Sequence, residues 1–332
     1  MLKTVIIGCG NIAGGYDASA SSGEWPLTHA GAFSAHGGFD LIACCDPESK
    51  KRKEFQHKWT VRQSASHPEN LNFSEHTIDV VSICSPTSLH TQHLETALKW
   101  KPKLLFCEKP VTLSVEETDY WVQRYADAGI LFIVNHNRRW APDVLTLKED
   151  LAQQKWGAVR SLTATYNKGI LNNGSHMVDL IHFLLGTIQL IAAGDEVYDH
   201  WPNDPSIPAL LKTDTGIPVT LNIANAQDYT LFELQLVTEK GVLRMESGGL
   251  SWSSQRVIDS PDFPGYRTLS TASRKEGRYR EAMSCAVENI YNVLASGGAI
   301  PSTGATALQA QRICRQILQH SQTITSYSGI HK

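Results

Sequence analysis

The chain has no long apolar run. None of its 332 residues belongs to a stretch approaching the roughly 18 to 20 apolar residues of a membrane span. It has no excess of one charge. Thirty Lys and Arg stand against 33 Asp and Glu, a net of −3, so no basic field exists to hold nucleic acid or an anionic membrane. It has no Cys-x-x-Cys pair. The seven cysteines are Cys9, Cys44, Cys45, Cys84, Cys107, Cys285 and Cys314. Their number is odd, and five of them fall in apolar runs of the first 110 residues. They read as buried thiols in a reducing compartment, not as a disulfide frame or a zinc site. The opening MLKTVIIGCG runs straight into glycines and offers no Ala-x-Ala cleavage site, so no secretory signal is expected and the expected location is cytoplasmic. Internal repeats and low-complexity tracts are also missing.

Hydrophobic residues make up 42% and charged residues 19%, as in an ordinary globular protein. At about 150 residues per domain the length suggests two domains. The first part alternates apolar runs at 2–7, 40–45, 78–84, 103–107 and 130–134 with helical patterns near 47–58, 89–100 and 114–127. Strands apolar throughout and spaced by helices imply an α/β fold with a doubly wound parallel sheet covered on both faces. After Trp140 the texture changes. Helices are expected near 142–154, 174–185, 275–296 and 304–322. Between them come a strand at 157–166 and hairpin signals at 213–216 and 238–241. This reads as an α+β domain with a large, mainly antiparallel open sheet. The expected division is 1–139 and 140–332. With no covering helix in view after residue 187, the outer face of that sheet is expected to be apolar and to need a partner.

Directly after the first strand comes Gly8-Cys9-Gly10-Asn11-Ile12-Ala13, a Gly-x-Gly-x-x-Ala loop. The first glycine permits a tight turn. The second lets the backbone approach a pyrophosphate, which then lies at the positive end of the following helix. The second strand ends in Asp46, which can bond both ribose hydroxyls and repels a 2′-phosphate, so NAD is expected over NADP. Asp46 lies farther from the loop than the roughly 20 residues usual for this fingerprint. The loop-like stretch 17–25 accounts for the excess.

Several further motifs carry a resemblance. They are Asp46-Pro47, Ser85-Pro86-Thr87 with His90, Glu108-Lys109-Pro110, Asn137-Arg138-Arg139-Trp140, Gly174-Ser175-His176-Met177-Val178-Asp179, and Ser302-Thr303-Gly304 with Ala307-Leu308. Together with the glycine loop they resemble, over nearly the whole chain, the glucose-fructose oxidoreductase / inositol dehydrogenase / rhizopine catabolism (Gfo/Idh/MocA) family of NAD(P)-dependent oxidoreductases. The resemblance implies an N-terminal Rossmann domain and a C-terminal substrate-binding and oligomerisation domain. It implies hydride transfer between nicotinamide and a hydroxyl or keto carbon of a sugar, cyclitol or nucleotide sugar. A homodimer or homotetramer is the implied assembly.

The implied cofactor contacts are Gly8, Gly10, Asn11, Ile12, Ala13, Asp46, Ser85, Pro86, Thr87, His90, Glu108, Lys109 and Arg139. Lys109 is also the implied catalytic lysine. It ends a central parallel strand, where doubly wound folds bind ligands, and can donate to a substrate oxygen. The family's second catalytic element is Asp-x-x-x-His. Here His176 matches the histidine, and Asn172 replaces the aspartate. An amide cannot take a proton, so proton transfer falls to His176 while Asn172 positions substrate. Expected substrate contacts are Lys109, Tyr166, Lys168, Asn172, Asn173 and His176. Asp179 is on the same helical face as His176 and matches a position read as mainly structural. No metal is expected, since neither His90/His93 nor His176/Asp179/His182 has metal-ligand spacing. The alternative reading is a non-catalytic dinucleotide-binding regulator of the same fold. The presence of both Lys109 and His176 favours an enzyme.

Overall fold

A computed structural model describes residues 1–19, 24–75 and 77–328; part of the expected 17–25 loop, residues 20–23, lies outside these. The chain forms two units, Met1–Ala141 with Arg280–Leu308, and Pro142–Tyr279 with the chain from Gln309 onward.

The first unit holds strands β1 (Leu2–Ile7), β2 (Phe39–Cys45), β3 (Gln63–Ala65), β4 (Val80–Ile83), β5 (Leu104–Cys107) and β6 (Leu131–Val134). They pair in parallel in the order β3-β2-β1-β4-β5-β6. Helices α1 (His29–His36), α2 (Ser49–Lys58), α3 (His90–Lys99) and α4 (Val115–Asp127) connect them. The strands are buried on both faces, which is why their sequences show no alternation. Ser114 caps α4 by accepting the Glu117 N–H, with Glu116 and Glu117 in the first turn complementing the helix dipole.

Two expectations need correction in this unit. The glycine loop does not lead directly into an α-helix. Gly14 and Gly15 N–H both return to the Gly10 carbonyl, a short 3₁₀ turn covers Gly15–Asp17, and α1 begins only at His29. Buried Asp17 organises that delay. Its carboxylate accepts the N–H groups of Leu27 and Thr28 and the Thr28 hydroxyl, and Thr28 in turn caps α1. Residues 280–308, expected in the second domain, belong to the first unit. The reason is packing: Met283, Ala286, Val287 and Ile290 of helix Ala282–Ser296 join the core that contains Phe33, Phe106 and Trp140.

The second unit opens with α5 (Pro142–Ala152), β7 (Val159–Tyr166) and α6 (Ser175–Leu185). There follow β8 (Ile188–Ala193), β9 (Val197–Trp201), β10 (Asp204–Ser206), β11 (Ala209–Thr213), β12 (Pro218–Ile223), β13 (Phe232–Thr238), β14 (Gly241–Glu246), β15 (Ser251–Asp259), β16 (Arg267–Leu269) and β17 (Ser273–Glu276). The large sheet runs β16-β15-β14-β13-β7-β12-β11-β8, with β17 also on β15. Only β7 and β12 pair in parallel in it; the rest is antiparallel. β9 and β10 form a separate hairpin.

Alternation divides the centre of the large sheet into two faces. Leu162, Ala164, Tyr166, Leu234, Leu236, Leu243 and Met245 are buried. The opposite face carries Thr163, Thr165, Glu233, Gln235, Arg244 and Gln255. Arg244 donates to the side chains of Gln235 at 2.7 Å and Gln255 at 2.8 Å, a polar ladder across three strands. The outer face expected to be apolar is polar over its centre, with Val237, Val242 and Leu210 as apolar positions on it. Among the described residues no helix is long and apolar enough to cross a membrane.

Candidate active site

The motif residues cluster separately within each unit. In the first, the carboxyl ends of β1, β2, β4 and β5 are held together by short polar contacts. Gly8 has φ +94, and a Cβ there would meet the Ser85 backbone at 2.8 Å, so only glycine permits the exits of β1 and β4 to lie so close. A Cβ on Gly10 would meet nothing within 4 Å. The backbone of the loop is thus left bare, as a pyrophosphate cradle requires, and the residues present fit a dinucleotide. Ala13 is fully buried, Ile12 half-buried and Asn11 exposed, so the third small position serves packing.

Asp46 closes the loop from the end of β2. One carboxylate oxygen accepts the Cys9 N–H and the other the Glu48 N–H, both at 2.9 Å. The Arg52 guanidinium donates to the Asp46 carbonyl, which brings a cation beside the acid.

His90 joins two exits. It is fully buried, with Nε2 2.9 Å from the Ser85 carbonyl and Nδ1 3.1 Å from the Pro110 carbonyl and 3.0 Å from that of Val111. It therefore shapes the loops at Ser85-Pro86-Thr87 and after Lys109. Its ring is not on the open surface expected of a cofactor contact. The Ser85 hydroxyl meets His93 Nδ1 at 2.8 Å. The Lys109–Pro110 peptide is cis.

Glu108 is engaged from two sides. Its Oε1 lies 2.8 Å from His29 Nε2 and accepts from Asn135 Nδ2 at 2.7 Å. His29 is fully buried, and its Nδ1 meets the Ser82 hydroxyl at 2.8 Å. Burial opposes charge on both groups, but each stabilises the other. Burial works against a charged His29, yet Cys84 and Glu108 outweigh it and raise its pKa to about 10. Burial likewise opposes ionised Glu108, yet His29, Asn135 and Lys109 hold its carboxyl below the ordinary value. Glu108, expected to contact cofactor, is thus occupied in anchoring the strand end that bears Lys109. Arg139, expected on the same list, is buried, and its Nη1 donates to the Pro301 carbonyl at 2.8 Å. That contact belongs to the packing of the unit.

In the second unit the turn before α6 is wound as a π-helix over Gly169–Gly174, a form that recurs at functional sites. His176 lies half-buried in the first turn of α6, and Asp179 is buried one turn later. The hairpin β9–β10 pins this turn. Asp204 accepts the N–H of Leu171 on Oδ1 and of Asn172 on Oδ2, both at 2.8 Å. Buried Asp199 accepts the Lys168 N–H, the Ser206 hydroxyl and the Ala226 N–H. The Asn172 amide donates to the Lys168 carbonyl at 3.3 Å, and the Ser175 hydroxyl donates to the Asn172 carbonyl at 2.8 Å. Lys168, Asn172 and Asn173 are all half-buried along this turn.

Tyr166 is corrected as a substrate contact. It is fully buried; its hydroxyl donates to the Ile207 carbonyl at 2.8 Å and accepts the Ile207 N–H at 3.0 Å. Burial pushes its phenol up, away from any role as acid at neutral pH. Its ring closes on Gly174, where a Cβ would meet it at 2.8 Å.

Residues 2–136 match the family model described as an oxidoreductase family with an NAD-binding Rossmann fold. Over these residues the chain is similar to the Gfo/Idh/MocA oxidoreductase family. An inositol 2-dehydrogenase of Rhizobium meliloti is 26% identical over 255 residues, covering 70% of this chain and 75% of that protein. Levoglucosan dehydrogenase in complex with NADH shares the fold at TM-score 0.77 and 16% identity, over 97% of both chains. So does a 3-ketoreductase of Actinomadura kijaniata in complex with NADP, at TM-score 0.75 and 16% identity, over 96% of this chain and 97% of that one. This is a family of NAD(P)-binding oxidoreductases acting on sugars and cyclitols. Within the Gfo/Idh/MocA pattern, sequence reasoning missed His29, Asn135, Asp199 and Asp204, the groups that hold the motif residues in place. The Trp201-Pro202-Asn203-Asp204 turn was the one available signal for the hairpin.

Proposed function

We propose that the protein is a dehydrogenase of CH–OH groups, interconverting a hydroxyl and a keto carbon on a sugar, cyclitol or nucleotide sugar. The observation that supports it is the construction of the Lys109 strand end. A buried His29–Glu108 pair and His90 lock that end beside a bare glycine cradle. Such placement at the carboxyl end of an interior parallel strand suits chemistry, not folding alone. Nicotinamide, when bound, supplies or accepts the hydride. Lys109 stabilises the partial negative charge that grows on the substrate oxygen. His176 removes the hydroxyl proton in oxidation and returns it in reduction. Asn172 and Lys168 orient neighbouring hydroxyls.

NAD is the proposed cofactor, on the carboxylate of Asp46. Arg52 opposes that preference, since a guanidinium there favours a 2′-phosphate. The proposed assembly is a homodimer or homotetramer. A monomeric mass by light scattering at micromolar concentration would reject it. The deciding experiment for function is absorbance at the nicotinamide band with both cofactors and a panel of sugars, cyclitols and nucleotide sugars. Turnover restricted to hydroxyl-poor alcohols would overturn the proposal.

A further inference from the structure

The proposed reaction leaves one feature of hairpin β9–β10 unused. Trp201 and Asp204 stand directly opposite in its antiparallel register, joined by the Pro202–Asn203 turn. Opposed residues project to the same face with Cβ atoms about 4.5–5.5 Å apart. Asp204 spends both carboxylate oxygens on the Leu171 and Asn172 N–H groups. Trp201 is therefore displayed beside the turn that leads into His176. Trp201 is 48% exposed. The support beneath it is rigid. Asp199, two residues earlier, is buried under three hydrogen bonds, and Ser206 on the opposite strand is fully buried. The His200 ring packs against the indole at 4.7 Å and 83°, which restricts its rotation.

A half-exposed indole on a pinned hairpin serves poorly as core and well as a stacking surface. Binding sites combine such apolar faces with a few fixed polar groups. The polar groups of this turn suit a hydroxylated ring; an indole suits the face of a second ring. We propose that Trp201 is a specificity-determining residue, stacking on a ring that the substrate carries beyond its reacting sugar: a second pyranose or a nucleobase. That a sugar reacts here rests on the dehydrogenase reading above; the stacking contact does not.

The test separates the two. Cellobiose, UDP-glucose and myo-inositol are titrated by calorimetry into the wild-type protein, Trp201→Ala, Trp201→Phe and Tyr266→Ala, with nicotinamide absorbance followed in parallel. Tyr266 is an exposed aromatic elsewhere in the same unit and serves as control. At least one two-ring probe should bind the wild type more tightly than myo-inositol. Trp201→Ala should weaken that probe about tenfold or more, the scale of one lost stacking contact. Trp201→Phe should recover most of it, and Tyr266→Ala should match wild type. Preference for cellobiose assigns the second ring as sugar; preference for UDP-glucose assigns it as base. Equal weakening of myo-inositol, unchanged affinity in Trp201→Ala, or no binding of either two-ring probe to wild type overturns the proposal. Trp201-dependent binding without any absorbance change would sink the dehydrogenase reading and leave this one standing.

Discussion

His29 Nε2 stands 2.8 Å from Glu108 Oε1, joining the first turn of α1 to the strand end that carries Lys109. Histidine in this pair is held in its charged form far above its ordinary range, at about pH 10 against 6.5. A raised folded pKa contributes stability that is complete below the unfolded value and is lost as pH rises through the folded one. The wild type should therefore lose thermal stability between about pH 6.5 and 10. His29→Ala should be destabilised by roughly 3 kcal/mol at neutral pH, since it leaves the buried Glu108 carboxyl without this partner. Thermal unfolding of both proteins across that window checks it; parallel pH curves would contradict it.

His93 acts in the opposite direction. Burial, and then the charge of neighbouring His90, lower its pKa to about 4. The unfolded chain takes up this proton near pH 6.5 while the folded protein resists it, so stability falls as pH drops from 6.5 toward 4. His93→Gln should flatten that acid limb and retain a partner for the Ser85 hydroxyl. Urea midpoints measured from pH 7 to 4 decide the point.

Lys109→Ala and His176→Ala should each lower kcat by about a hundredfold or more while nicotinamide binding survives. Asn172→Asp should keep activity and move the acid limb of the pH–rate profile upward, because a nearby carboxylate favours the imidazolium. Near-normal turnover in His176→Ala would place the proton elsewhere. Tyr166 is not a substitute, since its hydroxyl is committed to Ile207.

Asp46→Ala should weaken NADH and strengthen NADPH binding, with Arg52 then unopposed. Arg52→Ala should affect NADPH alone. Calorimetric titration of both cofactors tests this, and tighter NADPH binding by the wild type would reverse the proposed preference.

Asp204→Ala should leave two backbone N–H groups without their acceptor, a loss of about 1–3 kcal/mol in the turn before His176. The expected outcome is a folded protein with reduced kcat. Unchanged kinetics would show that the π-helical turn holds its shape without the hairpin.

The sequence by itself determined what depends on local pattern. Unbroken apolar runs such as Val5–Ile7 and Leu104–Cys107 specify buried parallel strands, because each must bury both faces. Gly8 and Gly10 specify a loop that side chains would block or cover, and the motifs that single out Lys109 and His176 as candidates are contiguous in the sequence. Only the tertiary structure decided what depends on distant partners. Glu108 meets a histidine 79 positions away, Asn172 is held by an aspartate 32 positions on, and Arg139 reaches a carbonyl 162 positions later. Tyr166 alternates inward on β7, so its polar end had to be satisfied inside the protein rather than by substrate. The polar centre of the large sheet's outer face follows the same logic. Its character is set by which side of each strand the helices cover, and strand register across β13, β7 and β14 fixes that side.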